Sequence, residues 1–388
     1  MEPVFIVSAV RTPIGKFGGG LSSLTAADLG TAAASAAIAR AGISPDLIDE
    51  TIYGCARQAG VGPNVARQIS HRAGVPDEKA AYTINQACAS GLRGVVSGYQ
   101  SILLGESQIV LTGGTESMSN VPFLLPKARW GYRLGSAELV DAMYKDGFLC
   151  PLCEQVMGET AETLAVKYKI SRREQDEYAT MSQNRAEQAW ARCDFRDEVA
   201  PVEAAGVQVE KDEHFRTGVT VETLAKLKPV FKPDGTVHAG NSSGITDGAA
   251  AVVLMAESKV KKYKLEPLAR IVDFTSVGVD PAIMGIGPVP AVQKLLEKTK
   301  WKLSDIDLIE LNEAFAAQVI ACERELKLDR QKLNVNGGAI AMGHPIGATG
   351  ARILTTLVYA MKKRNAKRGI ATLCVSGGMG MAVLVERD

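Results

Sequence analysis

Cys88 stands in the stretch Ala80–Gly94, read AAYTINQACASGLRG, where a strand-type run turns through a corner into an apolar helix. Thr83-Ile84-Asn85 has strand character and Gln86 to Ala89 make the corner. Ser90-Gly91-Leu92-Arg93-Gly94 then opens a helix that continues through Val95, Val96, Tyr99 and Ile102. A helix N-terminus offers unpaired N–H groups and the positive end of the helix dipole, which favour an anion. A thiol placed there is expected to carry more thiolate, its nucleophilic form. Taken alone, a cysteine is more often a small buried apolar side chain.

Three further stretches change that balance. Asn336-Gly-Gly-Ala-Ile-Ala-Met-Gly-His-Pro-Ile-Gly-Ala-Thr-Gly350 holds five glycines in fifteen residues, so its backbone can pass close to another group, and it sets His344 in a corner before a helix. Cys374-Val-Ser-Gly-Gly-Met-Gly380 follows the C-terminal end of a strand, the edge of an open α/β sheet where ligands bind. Leu311-Asn-Glu-Ala-Phe-Ala316 ends an apolar strand on Asn312 and Glu313, with an ordinary helix cap by Asn312 as the plain alternative.

The elements that must position these residues recur. Strand Val4–Val10 precedes a glycine-rich turn, Gly15–Gly20, which lacks phosphate-loop spacing. Thr25-Ala-Ala-Asp28 reads as a capping box for an alanine-rich helix that stops at Gly42. A strand ending at Gly54, a helix over Asn64–Gly74, the Cys88 unit and strand Ile109–Leu111 follow. The later chain repeats the plan. Ala269–Val277 opens it, Pro290–Lys298 is a helix, and Ser304–Asn312 echoes Asp46–Gly54. Asn334-Val335-Asn336 echoes Thr83-Ile84-Asn85, and Thr372–Gly378 echoes Ile109–Gly114. An internal repeat of this length predicts two similar α/β halves. It also sets the Cys88 corner against the His344 corner. Between the halves lies a turn-rich region with a helix over Glu159–Lys169 and a second, capped by Ser171 and Glu174, that runs to Arg192. We read it as an inserted lobe. The boundaries are 1–117 plus 245–267 for the first half, 118–244 for the insertion and 268–388 for the second half.

Composition narrows the function. Hydrophobic residues at 46% with 22% charged residues suit a globular protein, and a net charge of +1 gives no reason to expect nucleic acid. No apolar run is long enough to span a membrane. The N-terminus enters a strand without a leader and Val385-Glu386-Arg387-Asp388 is no retention or peroxisomal tag, so a cytoplasmic protein is expected. The seven cysteines have no disulfide framework. Cys150-Pro-Leu-Cys153 is a lone CxxC. Zinc needs further ligands, and His71, His214, His238 and His344 lack ligand spacing, so no metal is expected and the pair reads as two thiols in a loop.

Together the motifs resemble the thiolase family: Cys88-Ala89-Ser90 as its CxS corner, Asn312–Phe315 as NEAF, Gly343-His344-Pro345 as GHP, and a C-terminal CxG at Cys374. Val7–Pro13 and Gly240–Ala249 extend the resemblance along essentially the whole chain. It implies a five-layered α-β-α-β-α thiolase fold of two duplicated halves with an inserted loop domain. It implies an acyl-CoA C-acyltransferase that reversibly condenses acyl-CoA with acetyl-CoA, or cleaves 3-ketoacyl-CoA with CoA, as in fatty acid β-oxidation. Cys88 would carry the acyl group, His344 would take its proton, and Cys374 would exchange protons with the α-carbon. His344 and a water on Asn312 would hold the enolate oxygen. The N–H groups of Cys88 and Ser376 would form a second oxyanion hole. Arg216 would stack on the adenine of CoA and Ser243 would contact the pantetheine arm. Met157, Phe231 and Met284 would line the acyl and pantetheine tunnel, packing being the plain alternative for each. CoA is a substrate and no cofactor is implied. The partners implied are acyl-CoA and CoA, with a homodimer or a dimer of dimers as the assembly.

The sequence departs from the family at three points. CxG reads Cys374-Val375-Ser376, which would strain a glycine-type φ. Val156 replaces a histidine that some members place before the Met157-Gly158 pair. Cys150–Cys153 differs from the short-chain pattern, which leaves chain length open. The alternatives are a decarboxylating ketoacyl synthase, disfavoured by Asn312 and Cys374, and a non-catalytic acyl-CoA or lipid carrier, disfavoured because Cys88, His344 and Cys374 all remain.

Overall fold

Strands that are apolar on both faces organise the molecule, and a computed structural model shows where each face goes. The structure describes residues 2–387; Met1 and Asp388, the outer ends of the two expected halves, lie outside the described residues. In strand Thr246–Ala256, Val252 and Leu254 enter one core while Ala251, Val253 and Met255 enter another. In strand Met379–Glu386, Met381 and Val383 enter the first of these cores and Ala382 and Leu384 a third. Period-2 alternation with both faces buried requires helices on both sides of each sheet.

The layers follow from these cores. Helices Ala26–Ala41 and Val65–Arg72 cover the outside of the first half. Helices Pro288–Thr299 and Ala316–Leu326 cover the outside of the second. Between the sheets lie helices Ser90–Leu104 and Ile346–Arg364, whose apolar faces share one core. The result is α-β-α-β-α. The central helices cross closely because glycine removes the side chain at the contact. A Cβ on Gly350 would lie 2.3 Å from the Leu92 nitrogen, and one on Gly114 would lie 2.1 Å from the Gly347 carbonyl oxygen.

The halves share a strand plan, except that among the described residues Ala80–Ile84 has no strand as its counterpart in the second half. Glu50–Gly54 is parallel to both Ala80–Ile84 and Ile109–Ser117, which pairs antiparallel with Thr246–Ala256, and that strand pairs with Val4–Arg11. Leu308–Leu311 is parallel to Arg368–Val375, which pairs antiparallel with Met379–Glu386, and that strand pairs with Ala269–Gly278. Val4–Ile6 joins Ala269–Ile271 and links the halves.

Two expected elements differ. The strand expected to end at Leu111 continues to Ser117, because Gly113 and Gly114 let the sheet meet the central helices without leaving the ladder. Asn334–Asn336 is not a strand. It holds isolated bridges instead: Leu333 with Ile309, and Val335 with Gly337 after the chain turns at Asn334, φ 44°. The helices of the insertion run over Met157–Lys167 and Arg172–Ala191, the second capped by Ser171 and Glu174 as read. Arg11, fully buried, fastens the insertion to the first strand through Glu198 at 2.6 Å and Asp212 at 2.7 Å. Among the described residues no helix is long and apolar enough to cross a membrane.

Candidate active site

The Cys88 corner is built by its neighbours. Ala87 adopts φ 44°, and Ser90 locks the turn by donating its hydroxyl to the Ala87 carbonyl at 2.6 Å while accepting the Gln86 N–H at 2.9 Å. Cys88 is half-buried and free. The N–H groups of Ser376 and of Cys88 itself lie near its sulfur and act to lower its pKa. These are the two donors expected to hold an acyl oxyanion. The expected thiolate is corrected, however. Burial raises the Cys88 thiol above its ordinary pKa and outweighs those donors and the nearby Arg57 charge. The corner's helical position is visible in sequence, and the desolvation is not.

His344 is buried and oriented by Thr349. The Thr349 hydroxyl donates to the Pro345 carbonyl at 2.9 Å and lies 2.6 Å from His344 Nδ1, so Nδ1 carries the hydrogen. Nε2 keeps its lone pair and faces Asn312 Nδ2 at 3.5 Å. Burial, then the charges of Arg352 and Arg57, lower the His344 pKa to about 3. The resting pair is therefore thiol and neutral imidazole, not an ion pair. Protonation of His344 is displaced to well below neutral pH. The second-order rate of Cys88 acylation is thus expected to stay flat between about pH 5 and pH 8. An inflection near about 6.5, the value of a solvated imidazole, would contradict this environment.

Asn312 does not cap the following helix. It is 1% exposed, its N–H donates to the Thr372 carbonyl at 3.0 Å, and its Oδ1 has no partner among the described residues. Neighbouring Glu313 accepts from the Tyr178 and Ser182 hydroxyls at 2.9 and 2.6 Å, Asn334 Nδ2 at 3.0 Å and the Ile340 N–H at 3.1 Å. It ties the glycine-rich loop to the insertion.

Cys374 is 1% exposed in a cluster with Ala161, Val237, Met284, Ala314 and Phe315, against which Met157 and Phe231 pack. Met157, Phe231 and Met284 thus come together beside Cys374 from three separate segments. Phe231 meets Phe315 edge-on at 6.4 Å and lies so close to Gly158 that a Cβ there would be 2.2 Å from its ring. Burial, then Cys88, raise the Cys374 pKa well above its ordinary value. Ser376 carries no positive φ; Gly377 at 84° and Gly378 at 82° make the turn. The expected strain of the Gly-to-Ser departure is therefore absent.

Ser243 is half-buried, its N–H donating to the Ala314 carbonyl at 3.0 Å beside that cluster. Arg216 is exposed and stands apart from the reacting groups, its own N–H bound to Gln183 at 2.9 Å. Val156 precedes helix Met157–Lys167, and its N–H donates to Glu159 at 2.8 Å. Sequence reasoning missed Thr349 and Glu116. Glu116 accepts the N–H groups of Ala56 at 3.1 Å, Arg57 at 3.0 Å and Gly347 at 2.8 Å, joining the Arg57 turn to the helix behind His344. Thr349 stands five residues from His344 and was within reach of a reading of that corner. Glu116 gave no local signal.

Comparison with known proteins agrees with this architecture. Residues 4–258 match the family described as Thiolase, N-terminal domain, and residues 265–387 match Thiolase, C-terminal domain. The chain is 50% identical to the acetyl-CoA acetyltransferase of Allochromatium vinosum, covering 100% of this chain and 99% of that protein. It is 48% identical to that of Cupriavidus necator over the full length of both. Human mitochondrial 3-ketoacyl-CoA thiolase in complex with CoA superposes with a TM-score of 0.98 at 46% identity, covering 100% of this chain and 98% of that one. Duplicated halves, paired corners and full-length similarity lead to one assignment: the chain belongs to the thiolase family.

Proposed function

We propose that this protein is an acyl-CoA C-acyltransferase that joins an acyl group to acetyl-CoA and, in reverse, cleaves 3-ketoacyl-CoA with CoA. The observation that carries the reading is that Cys88, with its own N–H and that of Ser376 near its sulfur, packs against the cluster holding Ile346, two residues from His344. In cleavage, His344 Nε2 takes the Cys88 proton as the sulfur attacks the keto carbon. The oxyanion forms on those two N–H groups; losing one such donor costs about 3 kcal/mol of barrier. Collapse breaks the carbon–carbon bond and expels the acetyl-CoA enolate. The proton now on Nε2 makes His344 a donor to the enolate oxygen. A water giving one hydrogen to Asn312 Oδ1 supplies the other donor. Cys374 protonates the α-carbon. CoA then loses its thiol proton to Cys374 and attacks acyl-Cys88, and His344 returns the proton to the departing sulfur.

This chemistry needs side chains, backbone donors and CoA as substrate, with no cofactor. Met157, Phe231 and Met284 form the apolar wall, Ser243 meets the pantetheine arm and exposed Arg216 stacks on adenine. The halves act as 1–117 plus 245–267 and 268–388, with 118–244 covering the site. A homodimer through the sheet-edge strand Ala80–Ile84, where Tyr82 is 40% exposed, fits the unpaired edge. Trp130 and Leu134, 89% and 96% exposed, suit a dimer of dimers; light scattering reads the assembly directly. Seven free cysteines suit the cytoplasm.

The deciding experiment is CoA-dependent cleavage of acetoacetyl-CoA and of 3-ketohexadecanoyl-CoA. Turnover of the first is expected. Comparable turnover of the second assigns a broad chain-length range, and its absence a short-chain enzyme. Failure on both overturns the reading.

A further inference from the structure

The reaction leaves one pair of cysteines unused. Cys150-Pro151-Leu152-Cys153 forms the turn of a hairpin in which Leu149–Cys150 pairs with Gln155–Val156, and Glu154 turns the chain at φ 55°. Cys150 is 3% exposed and Cys153 is half-buried, both free. The hairpin lies against the catalytic loop. A Cβ on Gly377 would sit 3.9 Å from Leu152 Cδ1, and Gly377 directly follows Ser376. Its other strand leads through Val156 into Met157, which packs in the Cys374 cluster. The Cys150 sulfur lies near the N–H groups of Cys153, Leu152 and Gly377 and near the Cys153 thiol. These contacts outweigh burial and hold Cys150 below the ordinary thiol pKa, while burial, then the same pairing, raise Cys153. Among the described residues no group of three or more histidine, cysteine or acidic side chains could hold a metal, so this CxxC lacks the further ligands zinc needs. The loop between paired Cys150 and Gln155 is short, and it places the Cys153 thiol beside the Cys150 sulfur.

We propose that Cys150 and Cys153 are a reversible dithiol–disulfide couple, oxidised by low-molecular-weight disulfides, that controls the oxyanion-binding loop through Gly377. The control rests on the reading of the Ser376 N–H as an oxyanion donor. The half-exposed Cys153 sulfur loses its proton to solvent and attacks the small disulfide, forming a mixed disulfide and releasing one thiolate. Cys150 then attacks the Cys153 sulfur and expels the second thiolate. Two protein thiols are oxidised, and one small disulfide is reduced to two thiols. Closing the disulfide moves the Cys150 sulfur and the loop that sets Leu152 against Gly377, so Gly377 loses its present support. The Ser376 N–H beside it then leaves its alignment on Cys88.

The full-length protein is equilibrated anaerobically in mixtures of reduced and oxidised dithiothreitol, trapped with iodoacetamide in denaturant, so that every free thiol is reached, and cleaved with trypsin. Peptide 146–167 holds Cys150 and Cys153 and no other cysteine. The expected result is a single transition in which both cysteines lose their label together and the peptide loses two hydrogens, while Cys88 and Cys374 remain labelled. Acetylation of Cys88 by acetyl-CoA, followed by intact mass without added thiol, is expected to slow by about tenfold in the oxidised form, less than outright loss of a donor. Dithiothreitol restores it. Cys153→Ser, which keeps Cys150 and its Gly377 contact, acetylates like the reduced protein in either buffer. Independent labelling of Cys150 and Cys153 overturns the couple. A disulfide without a change in rate, or equal slowing of Cys153→Ser, overturns the control. Failure of the reduced protein to acetylate counts against the acyltransferase reading alone, because the peptide transition is read separately.

Discussion

Cys88→Ala is expected to lower CoA-dependent cleavage of acetoacetyl-CoA by at least about 10⁴-fold while CoA affinity stays within about threefold of the unaltered protein, since the nucleophile of a covalent mechanism has no substitute. The change removes one sulfur from a corner whose shape is set by other groups. Ala87 already holds the unusual φ, and Ser90 makes the hydrogen bonds that close the turn. The variant should therefore fold, and its Cys88 and Ser376 N–H groups should keep their places. The measurement pairs steady-state cleavage with the intact mass after mixing with acetyl-CoA. A retained rate above about one per cent, or an acetyl adduct in the variant, would move the nucleophile to another residue. The resting thiol state adds a second consequence. Because burial holds Cys88 protonated, attack depends on proton transfer to His344, so simple alkylating reagents should meet a slow thiol in the free protein.

The residue types of the site were legible in the sequence, and their electrostatic states were not. Cys88, His344, Asn312 and Cys374 each sit where an apolar run meets a corner, and corners are marked by glycine, proline and period changes. The duplicated plan was legible for the same reason, since each half repeats the same punctuation. What failed was local inference about quantities that depend on distant packing. The helix start at Ser90 argued for a Cys88 thiolate, yet the surrounding cores decide the desolvation. Ser376 looked strained because a motif glycine was missing, yet the positive φ values belong to Gly377 and Gly378. Strand Ile109–Ser117 was cut short at its glycines, which serve the close approach of the central helices. Glu116 organises both sides of the cleft through three backbone donors that lie 59, 60 and 231 residues away, and no window of sequence contains them.

Cys374→Ala is expected to separate the two half-reactions. Condensation should fall by about 10³- to 10⁴-fold, the upper part of what a positioned acid–base group contributes. Acetylation of Cys88 by acetyl-CoA should fall far less, because its leaving group is a thiolate whose acid has a pKa of about 8.5 and needs little help to depart. Breaking or making a bond to the α-carbon proton has no such relief. The direct readout is exchange of the acetyl-CoA methyl hydrogens with deuterium oxide, followed by NMR, beside the intact mass of acetyl-enzyme. Exchange that persists at the unaltered rate would show that another base serves the α-carbon. Loss of both exchange and acetylation to the same degree would instead show that the packing around Met284 and Phe315 had been disturbed, which Cys374→Ser would test with nearly unchanged volume.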